Sequence, residues 1–149
     1  MYTYHPNLEI IALKEFEKLH SRLVTNKFLV ETISFASIFW NCETIIRLEK
    51  NFFKYEQERK SLSDDISREV TKEIVDNLIK ANLKKTSKEC VILTKAGVLF
   101  PFIHISSILS GIETKVRATL AIPYPGTKEG HFLNYPSAVS QAYYRGEIF

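Results

Sequence analysis

The residues best placed to do chemistry follow an apolar stretch in the second half of the chain. Residues 89–94 (ECVILT) predict a buried strand, and Lys95, Gly97 and His104 come soon after it. In open α/β sheets, ligands bind outside the carboxyl ends of the strands. A nucleotide or phosphate could bind there, held by Lys95 and the start of a following helix. In the alternative interpretation, Gly97 only permits a turn, which residues 100–102 (FPF) pack against the core.

A second candidate group is aromatic and lies further along the chain. It comprises Tyr124 and Gly126 in a proline-rich turn, then Tyr143, Tyr144 and Arg145 near the end. Aromatic side chains beside an arginine can stack on bases, and they are also favoured at protein interfaces. Residues 89–149 carry few basic side chains, so the counterion-release contribution to nucleic-acid affinity would be small there. Buried tyrosines that close the sheet are the third possibility.

No sequence motif of a known catalytic site is present. The sequence contains no Walker loop, dinucleotide-binding glycine pattern, serine-hydrolase elbow, zinc-protease motif or calcium loop. The four histidines are scattered, and Cys42 and Cys90 are far apart, which favours two buried, reduced thiols over a metal site. We therefore expect a protein that is not an enzyme and that uses no metal or other cofactor.

The composition is that of an ordinary globular protein. Of 149 residues, 45% are hydrophobic and 25% charged, and the formal net charge of +3 does not by itself indicate nucleic-acid binding. We expect one α/β domain over residues 1–149, helix-rich over 1–88 and rich in strands and turns over 89–149. There is no secretory signal and no apolar run long enough to span a bilayer, so we expect a cytoplasmic protein without membrane contact.

Helical periodicity and short apolar runs alternate along the chain. Helices are predicted over about 8–25 with Asn7 as the cap, 43–60, 64–83 after a break at 61–65, and from Ser106 or Ser107 to 112. In the third of these, Asp64 and Asp65 are placed in the first turn, where they suit the helix dipole. Strands are predicted over 32–40, 89–94, 118–122 and 131–135, with a turn at 123–126. This order predicts a small, mainly parallel sheet flanked by helices, with 90–94 and 118–122 in one sheet.

Four short motifs in this order resemble the C-terminal half of BrxB, a small component of the bacteriophage-exclusion (BREX) defence systems of bacteria and archaea. They are residues 90–103 (CVILTKAGVLFPFI), 107–109 (SIL), 120–126 (LAIPYPG) and 143–145 (YYR). In the first half, residues 16–19 (FEKL) and 27–29 (KFL) resemble the opening helix of the family. The order and spacing of the four motifs together are more specific than any one of them alone.

The resemblance implies a role in an antiphage complex that also contains a methyltransferase, an ATPase and a phosphatase-like protein. We expect a non-catalytic α/β protein that binds other proteins of this system. Its contact surface is expected to include Phe102, Tyr124, Tyr143, Tyr144 and Arg145. The alternative is a nucleotide- or nucleic-acid-binding module of the same kind of system that uses Lys95, His104, Arg117 and Arg145.

Overall fold

The structure is a computed structural model that describes residues 1–55, 59–82, 89–129, 132–135 and 142–143. Its helices are α1 (Glu9–Thr25), α2 (Phe35–Trp40), α3 (Glu43–Tyr55), α4 (Arg59–Asn82) and α5 (Ile105–Ile112). Its strands are β1 (Tyr2–Tyr4), β2 (Leu29–Ser34), β3 (Glu89–Thr94), β4 (Thr119–Ala121), β5 (Pro123–Pro125), β6 (Thr127–Glu129), β7 (Phe132–Asn134) and β8 (Ala142–Tyr143). Short 3-10 turns precede α1 and follow β3.

Three parallel strands, in the order β2-β3-β4, form the central sheet. Val91, Ile92 and Leu93 of the middle strand are at most 1% exposed. A parallel strand covered on both faces has a continuous apolar run, which is why the sequence of residues 89–94 predicts it. The α/β class is confirmed, and so is the prediction that β3 and β4 pair in parallel, with α5 in the connection between them.

Two smaller sheets complete the described part of the fold. β1 pairs in parallel with β5, and β6-β7-β8 are antiparallel, with β7 confirming the strand predicted at 131–135. The predicted turn at 123–126 is wrong, because Pro123–Pro125 is extended. The amide of Tyr2 donates to the Ile122 carbonyl at 2.9 Å, and the amide of Gly126 donates to the Tyr4 carbonyl at 2.8 Å. These flanking bonds hold a strand whose prolines lack N–H groups.

The strand predicted over 32–40 is correct only as far as Ser34. From Phe35 the chain is helical, and the Ser34 hydroxyl accepts a hydrogen bond from the Ser37 amide at 3.3 Å. Phe35 and Phe39 are both buried, whereas Trp40 is 63% exposed. Burial at i and i+4 is the pattern of one helix face, so packing of two phenylalanines overrides the β propensity of the segment.

The predicted break at residues 61–65 is also wrong, since α4 starts at Arg59 and continues through that segment. The five residues include neither Gly nor Pro, so nothing in the backbone interrupts the helix. Asp64 and Asp65 therefore lie beyond the first turn of the helix. α3 ends at Tyr55 and α4 begins at Arg59, and residues 56–58 are outside the described residues.

Two predicted helix caps are replaced by nearby residues. Asn7 does not cap α1, because it lies in the preceding 3-10 turn, where its amide donates to Nδ1 of His5. In α5 the cap is His104 rather than Ser106 or Ser107, and the His104 side chain makes no capping bond. Each helix end thus differs by one to three residues from the pattern-based boundary.

The core combines residues of both halves of the chain, from Phe35 to Leu133. Where α4 meets α5, a Cβ added to Gly111 would lie 2.7 Å from Val75, so the two helices approach closely only because residue 111 is glycine. Cys42 and Cys90 are buried and free, as predicted. None of the helices in the described part of the chain is both long and apolar enough to cross a membrane.

Glu73 of α4 caps the start of α3 across the contact between the two helices. Its carboxylate accepts hydrogen bonds from the Glu43 amide at 2.7 Å, from the Thr44 amide at 3.2 Å, and from the Thr44 hydroxyl. Burial alone raises the pKa of Glu73, but these bonds, together with one from the Cys42 thiol, lower the pKa below its usual range. The charged carboxylate therefore ties α4 to α3.

We predict that Glu73→Gln lowers the free energy of unfolding by about 1–2 kcal/mol at pH 7, because a charged acceptor becomes neutral. A carboxyl group with a lowered pKa stabilises the fold above its unfolded-state pKa, and this contribution is lost as the pH falls through the folded-state value. The difference between wild type and variant should therefore shrink in acid. Urea denaturation between pH 7 and pH 3 measures it. Asp76→Asn, at an exposed position of the same helix, is the control and should change little.

Candidate functional site

The turn after β3 lies where the sequence places it, at the carboxyl end of the central strand. Lys95 is exposed and has a left-handed backbone, with φ of 58°. A lysine in this conformation costs of order 1 kcal/mol, which the packing of the next residues must offset. Ala96 and Leu99 of the 3-10 turn are 3% and 2% exposed, so the turn is anchored in the core on both sides of Gly97.

Gly97 is a point of close approach between this turn and the C-terminal sheets. A Cβ at this position would lie 3.3 Å from Cγ of Pro125 and 3.8 Å from the Tyr135 hydroxyl. The structure thus brings Gly97 and Pro125 together at one edge. The contact is made by β5, which is paired with β1 rather than with the central sheet.

Aromatic side chains continue this edge towards the surface. Phe100 stacks on Tyr135, with ring centroids 4.2 Å apart and planes inclined by 11°. Phe100 is 38% exposed and Phe102 is 42% exposed, although Leu99 and Ile103 beside them are buried. We call Phe100, Phe102 and Tyr135 the aromatic edge. The two phenylalanines are thus partly covered by the fold and partly exposed to solvent.

Tyr124 and Tyr135 belong to a cluster that also includes Tyr4, a residue that the sequence did not single out. Burial and then the acidic groups of Glu9 and Tyr135 raise the pKa of Tyr4, which is 7% exposed. Burial and the neighbouring Tyr135 likewise raise the pKa of Tyr124. The sequence signal by which Tyr4 could have been found is the alternation of aromatic residues at positions 2 and 4, which is typical of a strand. This alternation does not show which strand pairs with β1. The hydroxyls of Tyr4 and Tyr124 therefore stay protonated at neutral pH.

Gly126 has a structural role at the point where the chain passes from β5 into β6. It is buried, and a Cβ there would lie 2.5 Å from the Asn134 carbonyl oxygen and 2.7 Å from the Tyr124 ring. The chain can turn from β5 into β6 at this point only without a side chain. The pairing of β6 with β7 places Thr127 opposite Asn134, which explains the close approach.

The remaining candidates are divided between exposed positions and positions that are not described. His104 and Arg117 are exposed, at the start of α5 and just before β4. The backbone of Tyr143 pairs with Phe132 in the small antiparallel sheet. Tyr144 and Arg145 lie outside the described residues. The described residues proposed to bind a phosphate or nucleic acid thus lie on three separate segments: the turn after β3, the start of α5 and the approach to β4.

The two cysteine thiols of the chain are buried and protonated. Burial, then the nearby Glu73 and its hydrogen bond, raise the pKa of the Cys42 thiol to about 12. Burial also raises the pKa of Cys90. Both thiols are therefore protonated at neutral pH, whereas a nucleophilic cysteine is a thiolate. No group of three or more His, Cys, Asp or Glu side chains in the described segments could hold a metal ion.

Residues 27–148 match the sequence model of one protein family, described as BREX protein BrxB. The match begins at the turn before β2 and includes the turn after β3, the aromatic edge and Gly126. This chain belongs to the BrxB family. It is therefore a component of a BREX antiphage defence system. No curated protein and no solved structure matches the chain.

The four BrxB-like motifs all fall within the matched residues, and the structure shows what two of them do. Residues 90–103 form β3, its anchored turn and the exposed phenylalanines, while residues 120–126 form β4, β5 and the buried Gly126. The likeness of residues 27–29 to an opening helix is not borne out, since they form a turn and the start of β2. Residues 16–19 are helical, in α1, but precede the matched range.

We predict that Gly126→Ala lowers the free energy of unfolding by about 2 kcal/mol or more, because backbone at 2.5 Å cannot move aside. Gly97→Ala is the matched variant at the same edge. Its new Cβ would meet only the end of the Pro125 ring at 3.3 Å, so its cost should be smaller. Chemical denaturation of both variants measures the difference. Equal losses would mean that the contact with Asn134 is not what requires glycine at position 126.

Proposed function

We propose that this BrxB-family chain is a non-catalytic component that binds another protein of its BREX system through the aromatic edge. The partner would be the methyltransferase, the ATPase or the phosphatase-like protein of the system. The observation that carries the proposal is the exposure of Phe100 and Phe102, at 38% and 42%, between buried neighbours. Large aromatic side chains on a rigid support are the usual anchors of protein interfaces.

The packing beneath the aromatic edge supports this role. Leu99 and Ile103 are 2% and 5% exposed, and they fix the backbone on both sides of the exposed phenylalanines. Stacking on Tyr135 orients Phe100 as well. Because the side chains are already positioned, little conformational entropy is lost when a partner covers them. Exposed Lys95 and His104 provide polar groups near the ends of the segment, as at the rim of an interface.

The state of the reactive groups supports a non-catalytic role. The two thiols are protonated, and Glu73, a carboxylate with a lowered pKa, is engaged as a helix cap. A general base needs a pKa near the working pH. The pKa values of the two thiols are raised away from neutral pH, and the pKa of Glu73 is lowered away from it. The alternative of nucleotide or nucleic-acid binding is favoured by one observation, the exposed Lys95 at the carboxyl end of a parallel strand.

We predict that Phe102→Ser weakens binding to the partner. Co-purification of the tagged chain with its partner should fall by at least about tenfold, because interface anchors typically contribute 2 kcal/mol or more. Phage protection in a plaque assay should be lost in parallel. The melting temperature should change little, since Phe102 is partly exposed. Ile10→Ser replaces a 72% exposed apolar residue of α1 and should leave both readouts unchanged.

Lys95→Asn distinguishes the two functions. Asparagine tolerates the left-handed backbone of this position, so the variant removes the cation without straining the turn. Protein binding through the aromatic edge should persist in Lys95→Asn. If the ligand were nucleic acid, the variant would bind it more weakly, and the wild-type affinity would fall steeply with salt. Equal co-purification of wild type and Phe102→Ser would refute the proposed interface.

The purified chain is also expected to show no turnover. With Mg²⁺ present, it should release no phosphate from ATP and should not nick plasmid DNA, because its described residues offer neither a phosphate loop nor a carboxylate cluster for the metal. The assays are run beside an established ATPase and nuclease as positive controls. Turnover that co-purifies with wild type and disappears in Lys95→Asn would overturn the non-catalytic assignment.

A further inference from the structure

Lys95 is an exposed cation whose ammonium group makes no ion pair or hydrogen bond with any of the described residues. By contrast, the exposed cations Lys18, Arg47 and Arg68 each pair with a glutamate of their own helix. The left-handed backbone of Lys95, with φ of 58°, is one that glycine or asparagine adopts at lower cost. Strain of this kind on a residue other than glycine is typical of functional sites. Packing and hydrogen bonding therefore do not explain why residue 95 is a lysine.

His104 is a second polar side chain that the described part of the fold does not engage. It is exposed at the start of α5, makes no capping bond to that helix, and has no hydrogen bond with another described residue. Phe100 and Phe102 lie between Lys95 and His104 in the sequence, and both are partly exposed. An ammonium group and an imidazole can each donate hydrogen bonds. The turn after β3 therefore presents a donor, two exposed aromatic rings and a second donor in that order.

The chain segments that build this region contain no carboxylate. Residues 90–112, which form β3, the turn after it and α5, include neither Asp nor Glu. The same is true of residues 118–127 and of residues 132–135, which include β5 and Tyr135. One carboxylate from another element, Glu9 of α1, is close enough to the buried Tyr4 to raise its pKa. The segments around the aromatic edge thus supply hydrogen-bond donors and aromatic rings but no anion to balance Lys95.

We propose that the aromatic edge binds an acidic segment of the partner protein, in which an apolar side chain is flanked by carboxylates. This inference rests on the proposed protein-binding function and adds the chemistry of the partner. The apolar side chain contacts Phe100 and Phe102, and the carboxylates accept hydrogen bonds from Lys95 and His104. Complementary charges at an interface steer the two proteins together and disfavour partners with a basic contact surface.

A nucleic acid fits the same surface less well. Its affinity for a protein depends on how many phosphates are neutralised by lysines and arginines. Residues 90–112 contain one such side chain, Lys95. Arg117 precedes β4, which runs parallel to β3, so this cation lies towards the amino end of the sheet. One cation beside two apolar rings suits a carboxylate and an apolar side chain of a protein better than a chain of phosphates.

Charge variants of Lys95, assayed against the partner protein that co-purifies with the wild-type chain, test this chemistry. Asparagine and aspartate both tolerate a left-handed backbone, so Lys95→Asn removes the charge and Lys95→Asp reverses it with little strain. The dissociation constant should rise about threefold in Lys95→Asn, which loses an exposed ion pair, and at least about tenfold in Lys95→Asp, which opposes like charges. Lys115→Asp changes the net charge equally, at an exposed position after α5, and should bind as wild type does.

The outcomes separate this inference from the proposed function. If Phe102→Ser loses the partner while both Lys95 variants bind it as wild type does, the interface stands and its partner segment is not acidic. Tighter binding by Lys95→Asp, or loss of the partner on nuclease treatment, overturns the inference in favour of a basic segment or a nucleic acid. Replacing one acidic residue of the bound segment by lysine should restore binding to Lys95→Asp, because the charge pair is then reversed. Should Lys95→Asp melt at a lower temperature than wild type, the comparison of Lys95→Asn with wild type decides.

Discussion

The burial of β3 between two parallel neighbours is the constraint on which the rest of this fold depends. Val91, Ile92 and Leu93 are almost inaccessible to solvent, so both faces of the strand must be covered and both edges paired. The burial of β3 also constrains the backbone of the residues that follow it. Lys95 adopts a left-handed backbone, which returns Ala96 and Leu99 to the core and leaves Phe100 outside. The exposed aromatic edge is thus a consequence of where the central strand ends.

The N-terminal residues also support this edge of the fold, although they precede the residues that match the BrxB family. β1 supplies the partner strand of β5, with Tyr4 paired to Pro125 and close enough to Tyr135 to raise its own pKa. Without this strand, the extended Pro123–Pro125 segment would have no hydrogen-bonded neighbour among the described strands. The position of Tyr135, and with it the orientation of Phe100, therefore depends on residues about 130 positions earlier in the chain.

One partly exposed aromatic surface results from this arrangement. The aromatic edge lies beyond the carboxyl end of the central sheet and suits a rigid contact with another protein of a BREX system. Glu73 and the Cys42 thiol, which could suggest chemistry in isolation, instead hold α3 and α4 together.

The sequence alone determined the α/β class, the central strand and the turn at Lys95 and Gly97, because a continuous apolar run followed by a glycine turn is a local pattern. It did not determine that Phe35–Trp40 is helical, that Pro123–Pro125 is a strand, or that Gly126 is a packing residue. Each of these depends on contacts with another element of the fold: the core beneath Phe35 and Phe39, β1 for β5, and Asn134 of β7 for Gly126. Periodicity shows which side chains prefer to be buried, but only the tertiary structure decides what they are buried against.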